Sequence, residues 1–170
     1  MESQMEPWTT FLGLPSNDIS TADVIIAPIP LEVTVSYREG TEMGPHATIT
    51  ASQQVETDDH DLGVDLSEIK FHTASAWSND AGTLVEQLES ISEYVEHLAR
   101  AEGLPIILGG EHGILPAIVR AMLRSKRTEK TLTIVQIDAH ADLRDKLGED
   151  PFSHACAARR ALDEGATRLL

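Results

Sequence analysis

Apolar residues recur along this chain in two rhythms. From Thr83 to Arg100, Leu84, Leu88, Ile91, Val95 and Leu98 fall three or four positions apart, while Glu86, Glu89, Glu93 and Glu96 take the other side. That 3.6-residue spacing predicts an amphipathic helix, with Gly103 marking its end. Three other stretches, ADVIIAPIP (22–30), LPIILGG (104–110) and TLTIVQI (131–137), are short and largely apolar. Continuous runs of this length predict strands buried on both faces, as in a parallel sheet.

The remaining pattern fills the gaps between these strands. Pro45 after Gly44 fits the first turn of a helix running towards Gln54, after a glycine-rich loop that begins at Tyr37. A helix rich in Leu115, Ile118, Val119 and Met122 follows LPIILGG, and polar SKRTEK (125–130) precedes TLTIVQI. A last helix is expected from His154 to Glu164, with Gly165 as its stop. Residues 1–21 read as an irregular N-terminal arm that packs Trp8, Phe11 and Leu14 onto the body, and TDDHDLGVDL (57–66) as an acidic loop with a short extended piece. Strand and helix in alternation over 22–170 predict one α/β domain, a three-layer sandwich with a mostly parallel sheet flanked by helices. GATRLL (165–170) reads as another strand beginning, so the sheet is expected to be incomplete on its C-terminal side.

Composition narrows the partners. The 170 residues are 41% hydrophobic and carry a formal net charge of −15. Such a balance argues against nucleic-acid backbones and anionic membranes, and suits small cationic substrates or divalent metals. The longest aliphatic stretches are too short to span a bilayer. The N-terminus lacks the basic and apolar regions of a secretory signal, and a single cysteine, Cys156, excludes an intrachain disulfide framework. A reducing compartment, the cytoplasm, is the expectation.

Candidate chemistry gathers where a parallel sheet places it, just beyond the carboxyl ends of the strands. TLTIVQI leads into QIDAHADLRD (136–145), with Asp138, His140 and Asp142 at every second position. On a continuing strand those three side chains would share one face. His112 follows the flexible pair Gly109–Gly110 at the end of LPIILGG. Two carboxylates with imidazoles and no thiolate suit Mn²⁺, or less selectively Zn²⁺, Fe²⁺ or Co²⁺. Paired ions about 3.5–4 Å apart clamp an activated water. His46, His60, His72 and His97 are expected in ordinary packing or surface roles, Cys156 as a small buried hydrophobe, and Arg159 and Arg160 at the surface or a subunit contact.

GGEHG (109–113) and DAHADLRD (138–145) resemble the first two motifs of the ureohydrolases, the arginase and agmatinase family. PLEVTVSYREGTEMGPHATITAS (30–52) resembles the substrate-side loop and following helix of that family, and PFSHACAARRAL (151–162) looks like agmatinases in particular. The likeness runs from about residue 22 to the end and covers the N-terminal half of a typical member. It implies a binuclear manganese site in which His112 and Asp142 hold the first ion, His140 the second, and Asp138 bridges both. It also implies a substrate-side histidine at His154 that relays protons and protonates the leaving amine, making Asp138 and His154 the catalytic pair. The implied reaction is hydrolysis of a linear guanidine, with agmatine giving putrescine and urea in polyamine biosynthesis. The same motifs serve enzymes for arginine, guanidinobutyrate, guanidinopropionate and formiminoglutamate. Trimers or hexamers of identical chains are the implied assembly.

Two departures stand out. Gly113 replaces the serine of many relatives, and Glu111 is expected to support a ligand rather than be one. The family's third motif, an S-x-D-x-D-type segment that gives one more bridging aspartate and one more ligand, has no counterpart; TDDHD (57–61) has the wrong position. The alternative reading is therefore a truncated or non-catalytic ureohydrolase-like fragment, inactive alone.

Overall fold

The computed structural model describes residues 9–79, 82–127 and 131–170. In chain order its elements are β1 (Val24–Ile29), α1 (Gly44–Ser52), β2 (Asp58–Asp59), β3 (Val64–Asp65), β4 (Phe71–Thr73) and α2 (Leu84–Ala99), followed by β5 (Leu104–Gly109), α3 (Leu115–Arg124), β6 (Thr133–Ile134), α4 (Ala157–Asp163) and β7 (Arg168–Leu169). β1 is the central strand of a parallel sheet ordered β4-β1-β5. Its side chains alternate between two helical layers. Ile25, Ala27 and Ile29 face α2 and α3, packing with Leu88, Ile91, Val95, Leu98 and Ala117. Ile26 turns the other way, onto Ile49 of α1 and Phe71 of β4. Ile25, Ile26 and Ile29 are fully buried, and burial of each side chain contributes about 1.5–3 kcal/mol.

The expected helix at 83–100 is α2, and a capping box starts it: Thr83 Oγ1 accepts from the Glu86 amide while the Glu86 carboxylate accepts from the Thr83 amide. Pro28 stands inside the central strand, where a missing N–H usually breaks a ladder. Its nitrogen faces the β4 side, and β4 has already ended at Thr73, so no ladder bond is lost there. The acidic 57–66 stretch forms the antiparallel β2–β3 hairpin. In the arm, the Phe11 and Phe71 rings lie 5.7 Å apart and the Leu12 amide donates to Ser52 Oγ at 2.8 Å. Trp8 and residues 128–130 of SKRTEK lie outside the described residues.

The C-terminal part is fastened differently. β6 and β7 pair in parallel as a separate two-stranded sheet. GATRLL does begin a strand, β7. The pair is held by helices, not by β5: Leu132 and Ile134 pack on Val119 of α3 and Ala161 of α4. Arg120 of α3 ties the helical layer together, donating to Glu89 of α2 at 2.5 Å and to Glu164 just after α4 through Nε at 2.9 Å. Among the described residues, β5 and β6 each leave one edge without a strand partner. Leu104 and Ile106 on β5 are exposed, as are Val135 (70%) and Ile137 (98%) beyond β6.

The strand expected over 131–137 is thus much shorter. After Ile134 only one further ladder-like bond forms, from the Gln136 amide to Leu170 O at 3.0 Å. Its ladder is with β7 alone, and among the described residues its other edge carries no strand. The expected helix from His154 likewise opens as a 3-10 turn, His154–Cys156, and becomes α-helical at Ala157.

Candidate metal and substrate site

The β1–β5 ladder continues past both strand ends. The Gly110 amide donates to Ile29 O at 2.8 Å and the Glu111 amide to Leu31 O at 2.9 Å. Gly110 passes so close to Leu31 that a Cβ there would collide with its backbone. This close approach seats Glu111, only 4% exposed, beneath the loop after β1. Its Oε2 accepts from the Val33 amide at 2.7 Å and the Thr34 amide at 2.6 Å, and its Oε1 accepts from Thr34 Oγ1 at 2.9 Å. Glu111 is therefore bound up in the loop. Glu32 pins the same loop further on, accepting from the Gly40 and Glu42 amides; those bonds hold its carboxyl below the usual carboxylate range.

His112, next in the chain, turns Nδ1 towards the segment after β6. Asp142 Oδ2 is 2.8 Å away and Asp138 Oδ2 3.6 Å. One donor atom from each of His112, Asp138 and Asp142 lies within 4.8 Å of the others. The pleat of a strand does not bring them there. Asp138 lies beyond β6, and Asp142 takes a left-handed backbone with φ +47°. The segment is shaped by its own polar bonds: the His140 amide donates to Asp138 Oδ1 at 2.9 Å, Gln136 Nε2 donates to His140 O at 2.9 Å, and the Arg159 amide donates to Asp142 O at 3.1 Å. The His140 amide, with His112 and His140 nearby, holds the Asp138 carboxyl below the ordinary aspartate value.

The His140 side chain is 82% exposed and stands outside that trio, 3.8 Å from Asp138 Oδ1 through Nδ1. The every-second-residue pattern thus gathers two of its three side chains. His154 is held by the loop after β1, its Nδ1 3.2 Å from Thr34 Oγ1 and its Nε2 3.2 Å from Ser36 Oγ. An open cavity of ≈ 920 Å³ has Ser36, His112, Asp138, His140, Asp142 and His154 in its wall. Thr34, Ser36 and Glu32 escape sequence reading, because hydroxyl and acidic residues in a polar loop look alike whichever way they point. Tyr37 and Glu39 are not in that wall; Tyr37 is exposed, with the Arg38 guanidinium 5.2 Å from its ring centre. Cys156 is fully buried, and burial pushes its thiol pKa up, so it packs as a small hydrophobe. Arg159 and Arg160 pair within the chain, with Asp145 and Asp163.

A model of the arginase family matches residues 22–169. The chain belongs to the arginase family. Arginase-family relatives include an N(1)-aminopropylagmatine ureohydrolase of Synechocystis sp., 40% identical over 161 residues, which cover 87% of this chain and 49% of the relative. An agmatinase of Bacillus cereus is 34% identical over 82% of this chain and 47% of its own length. The solved agmatine ureohydrolase of Thermoplasma volcanium superposes with a TM-score of 0.74 at 26% identity, covering 96% of this chain and 53% of that one. The proclavaminate amidino hydrolase of Streptomyces clavuligerus, 23% identical with a TM-score of 0.79, shares the fold over 96% of this chain and 53% of its own. The chain spans about half the length of the curated relatives it matches. The three-layer α/β fold and the ureohydrolase kinship expected from the two motifs both hold, and this family is one of hydrolases. No helix among the described residues is long and apolar enough to cross a membrane.

The donor set fits a divalent cation. Two carboxylate oxygens converge on one imidazole nitrogen without a thiolate, the mix that hard-to-borderline ions such as Mn²⁺ prefer.

Proposed function

We propose that this chain carries the metal- and substrate-facing part of a manganese-dependent ureohydrolase for a small cationic guanidino compound, with agmatine giving putrescine and urea. The reading is carried by one observation: His112, Asp138 and Asp142 converge in the wall of a cavity that His154 also lines. Relatives named agmatinase and aminopropylagmatine ureohydrolase support a guanidine bearing a cationic tail.

In this reading His112, Asp138 and Asp142 hold the first ion, and Asp138 reaches on towards a second held by His140. The chemistry such ions supply when bound is activation of water and neutralisation of developing negative charge. Asp138 and Asp142 offset the dication and draw a guanidinium into the cavity. His154 keeps Nε2 beside Ser36; in this reading that nitrogen takes up the proton released as water adds to the guanidinium carbon and passes it to the leaving amine. Consistent physiology is polyamine synthesis in the cytoplasm by a trimer or hexamer of identical chains.

A second reading rests on ligand count: the described residues offer a second ion only His140 and a shared Asp138. On it, the chain binds one ion and is inactive alone. Manganese per folded chain after Mn²⁺ loading, with urea release from agmatine, tests both. Two ions with urea release support the enzyme; one ion without urea supports the inactive fragment. In either case Asp138→Ala should weaken the first ion by more than the about 10- to 100-fold typical of losing a ligand's outer partner. Unchanged binding in that variant would remove the site from both readings.

A further inference from the structure

Both ring nitrogens of His154 meet hydroxyl groups, and the partners behind those hydroxyls decide which nitrogen carries the proton. Thr34 Oγ1 is the crossing point. It lies 2.9 Å from Glu111 Oε1, 2.9 Å from the His154 amide nitrogen and 3.2 Å from His154 Nδ1. A carboxylate oxygen only accepts, so the single Thr34 hydroxyl proton is committed to Glu111. The oxygen then has only lone pairs left. One accepts from the His154 amide, and the other accepts from Nδ1, which must carry a hydrogen to be bonded. Nε2 is left bare in the neutral ring, and it accepts from Ser36 Oγ at 3.2 Å.

We infer that Glu111 and Thr34 form a relay that locks neutral His154 in its Nδ1–H tautomer, so that Nε2 is the proton-exchanging atom on the cavity side. Both are positioning residues acting through His154. The inference deepens the role given to His154 above and rests on that reading for its functional meaning. Three features make the relay a built one. Glu111 is buried and cannot turn to water. Its Oε2 is fixed by two amides, which orients Oε1 at Thr34. Gly113 leaves room for it, because a Cβ there would stand 2.7 Å from Oε1. The relay also links three separate stretches of chain: Glu111 neighbours His112, Thr34 belongs to the loop after β1, and His154 precedes α4.

The relay has a direction, and an isosteric change reverses it. In Glu111→Gln the amide oxygen must take the Oε2 place to accept the Val33 and Thr34 amides. The NH₂ then faces Thr34 and donates. The Thr34 hydroxyl is freed to donate to Nδ1, which moves the ring proton to Nε2. Nitrogen NMR on chains labelled with ¹⁵N-histidine reads this directly, at pH about 9 and above the ordinary histidine pKa of ~6.5. The native chain and Thr34→Ser are expected to show His154 with a protonated Nδ1 and a bare Nε2, and Glu111→Gln the reverse. Thr34→Val should give a mixture of both forms. A native His154 protonated on Nε2 overturns the inference whether or not any variant folds, and so does a folded Glu111→Gln that keeps the native pattern. The measurement needs neither metal nor substrate. Failure to release urea would count against the proposed function and leave the tautomer result standing.

Discussion

The two walls of the cavity are made in opposite ways. On one, GGEHG extends a ladder begun by β1 and β5, and Glu111, at 4% exposure, anchors the neighbouring loop through three bonds. On the other, DAHAD follows a two-residue strand, flanked by an Ile137 that is 98% exposed, and is shaped by bonds among its own polar groups. The first wall supplies one ligand from a scaffold already formed. The second supplies the carboxylates from a segment bonded, among the described residues, to the Arg159 amide, to His112 and, through Gln136, to Leu170 O. A cation placed among them would bridge a rigid wall to a compliant one, which makes binding a cross-link as well as a step towards chemistry.

The contrast breaks most clearly on stability. Glu111→Ala removes the buried acceptor of two amides and a hydroxyl, and should lower the unfolding free energy of the metal-free chain by about 3 kcal/mol. Asp138→Ala removes a side chain whose one backbone partner is local, and should shift it by less than about 0.5 kcal/mol. Urea unfolding of both variants checks the pair, and equal losses would erase the distinction between the walls. A smaller effect sharpens it. Saturating Mn²⁺ should slow amide exchange through residues 138–144 by about tenfold or more, while the Val33 and Thr34 amides change little. Slowing spread evenly over both walls would show that neither is formed without the ion. The smallest effect belongs to His140→Ala: with that side chain 82% exposed and outside the trio, affinity for the first ion should fall by less than about tenfold. A larger loss, read by manganese titration, would place His140 among the first ion's holders.

The parts legible in the sequence are those governed by local rules. α2 announces itself by period, and β1 by an apolar run that two-sided burial requires. β5 has a similar run, yet its Leu104 and Ile106 are exposed, against the expected burial on both faces. The end of β6 is not legible, because strand length depends on partners: TLTIVQI is largely apolar to its end, yet with β7 as its one partner among the described residues its ladder stops after Ile134 apart from the Gln136 bond. The same dependence undoes the alternation argument for DAHAD, since Asp142 joins the trio through a left-handed turn instead of a pleat. His112, Asp138 and Asp142 can still be singled out by residue chemistry and chain position, which do not need the strand, and the fold brings one donor atom of each together. Thr34 and Ser36 were out of reach. Their hydroxyls matter only through His154, about 120 positions away.

β1 has a consequence for how the molecule is made. Among the described residues it comes before the other strands in chain order, yet it is the middle one of its sheet, flanked by β4 and β5. Val24 meets its β5 partner at Leu104, about eighty residues later, and at roughly 5–20 residues per second a ribosome takes about 4–16 s to deliver it. For that interval VIIAPI has an open edge on a nascent chain. Pro28 removes a donor from the opposite, β4-facing edge, so the edge that awaits β5 keeps its backbone donors unpaired throughout the wait.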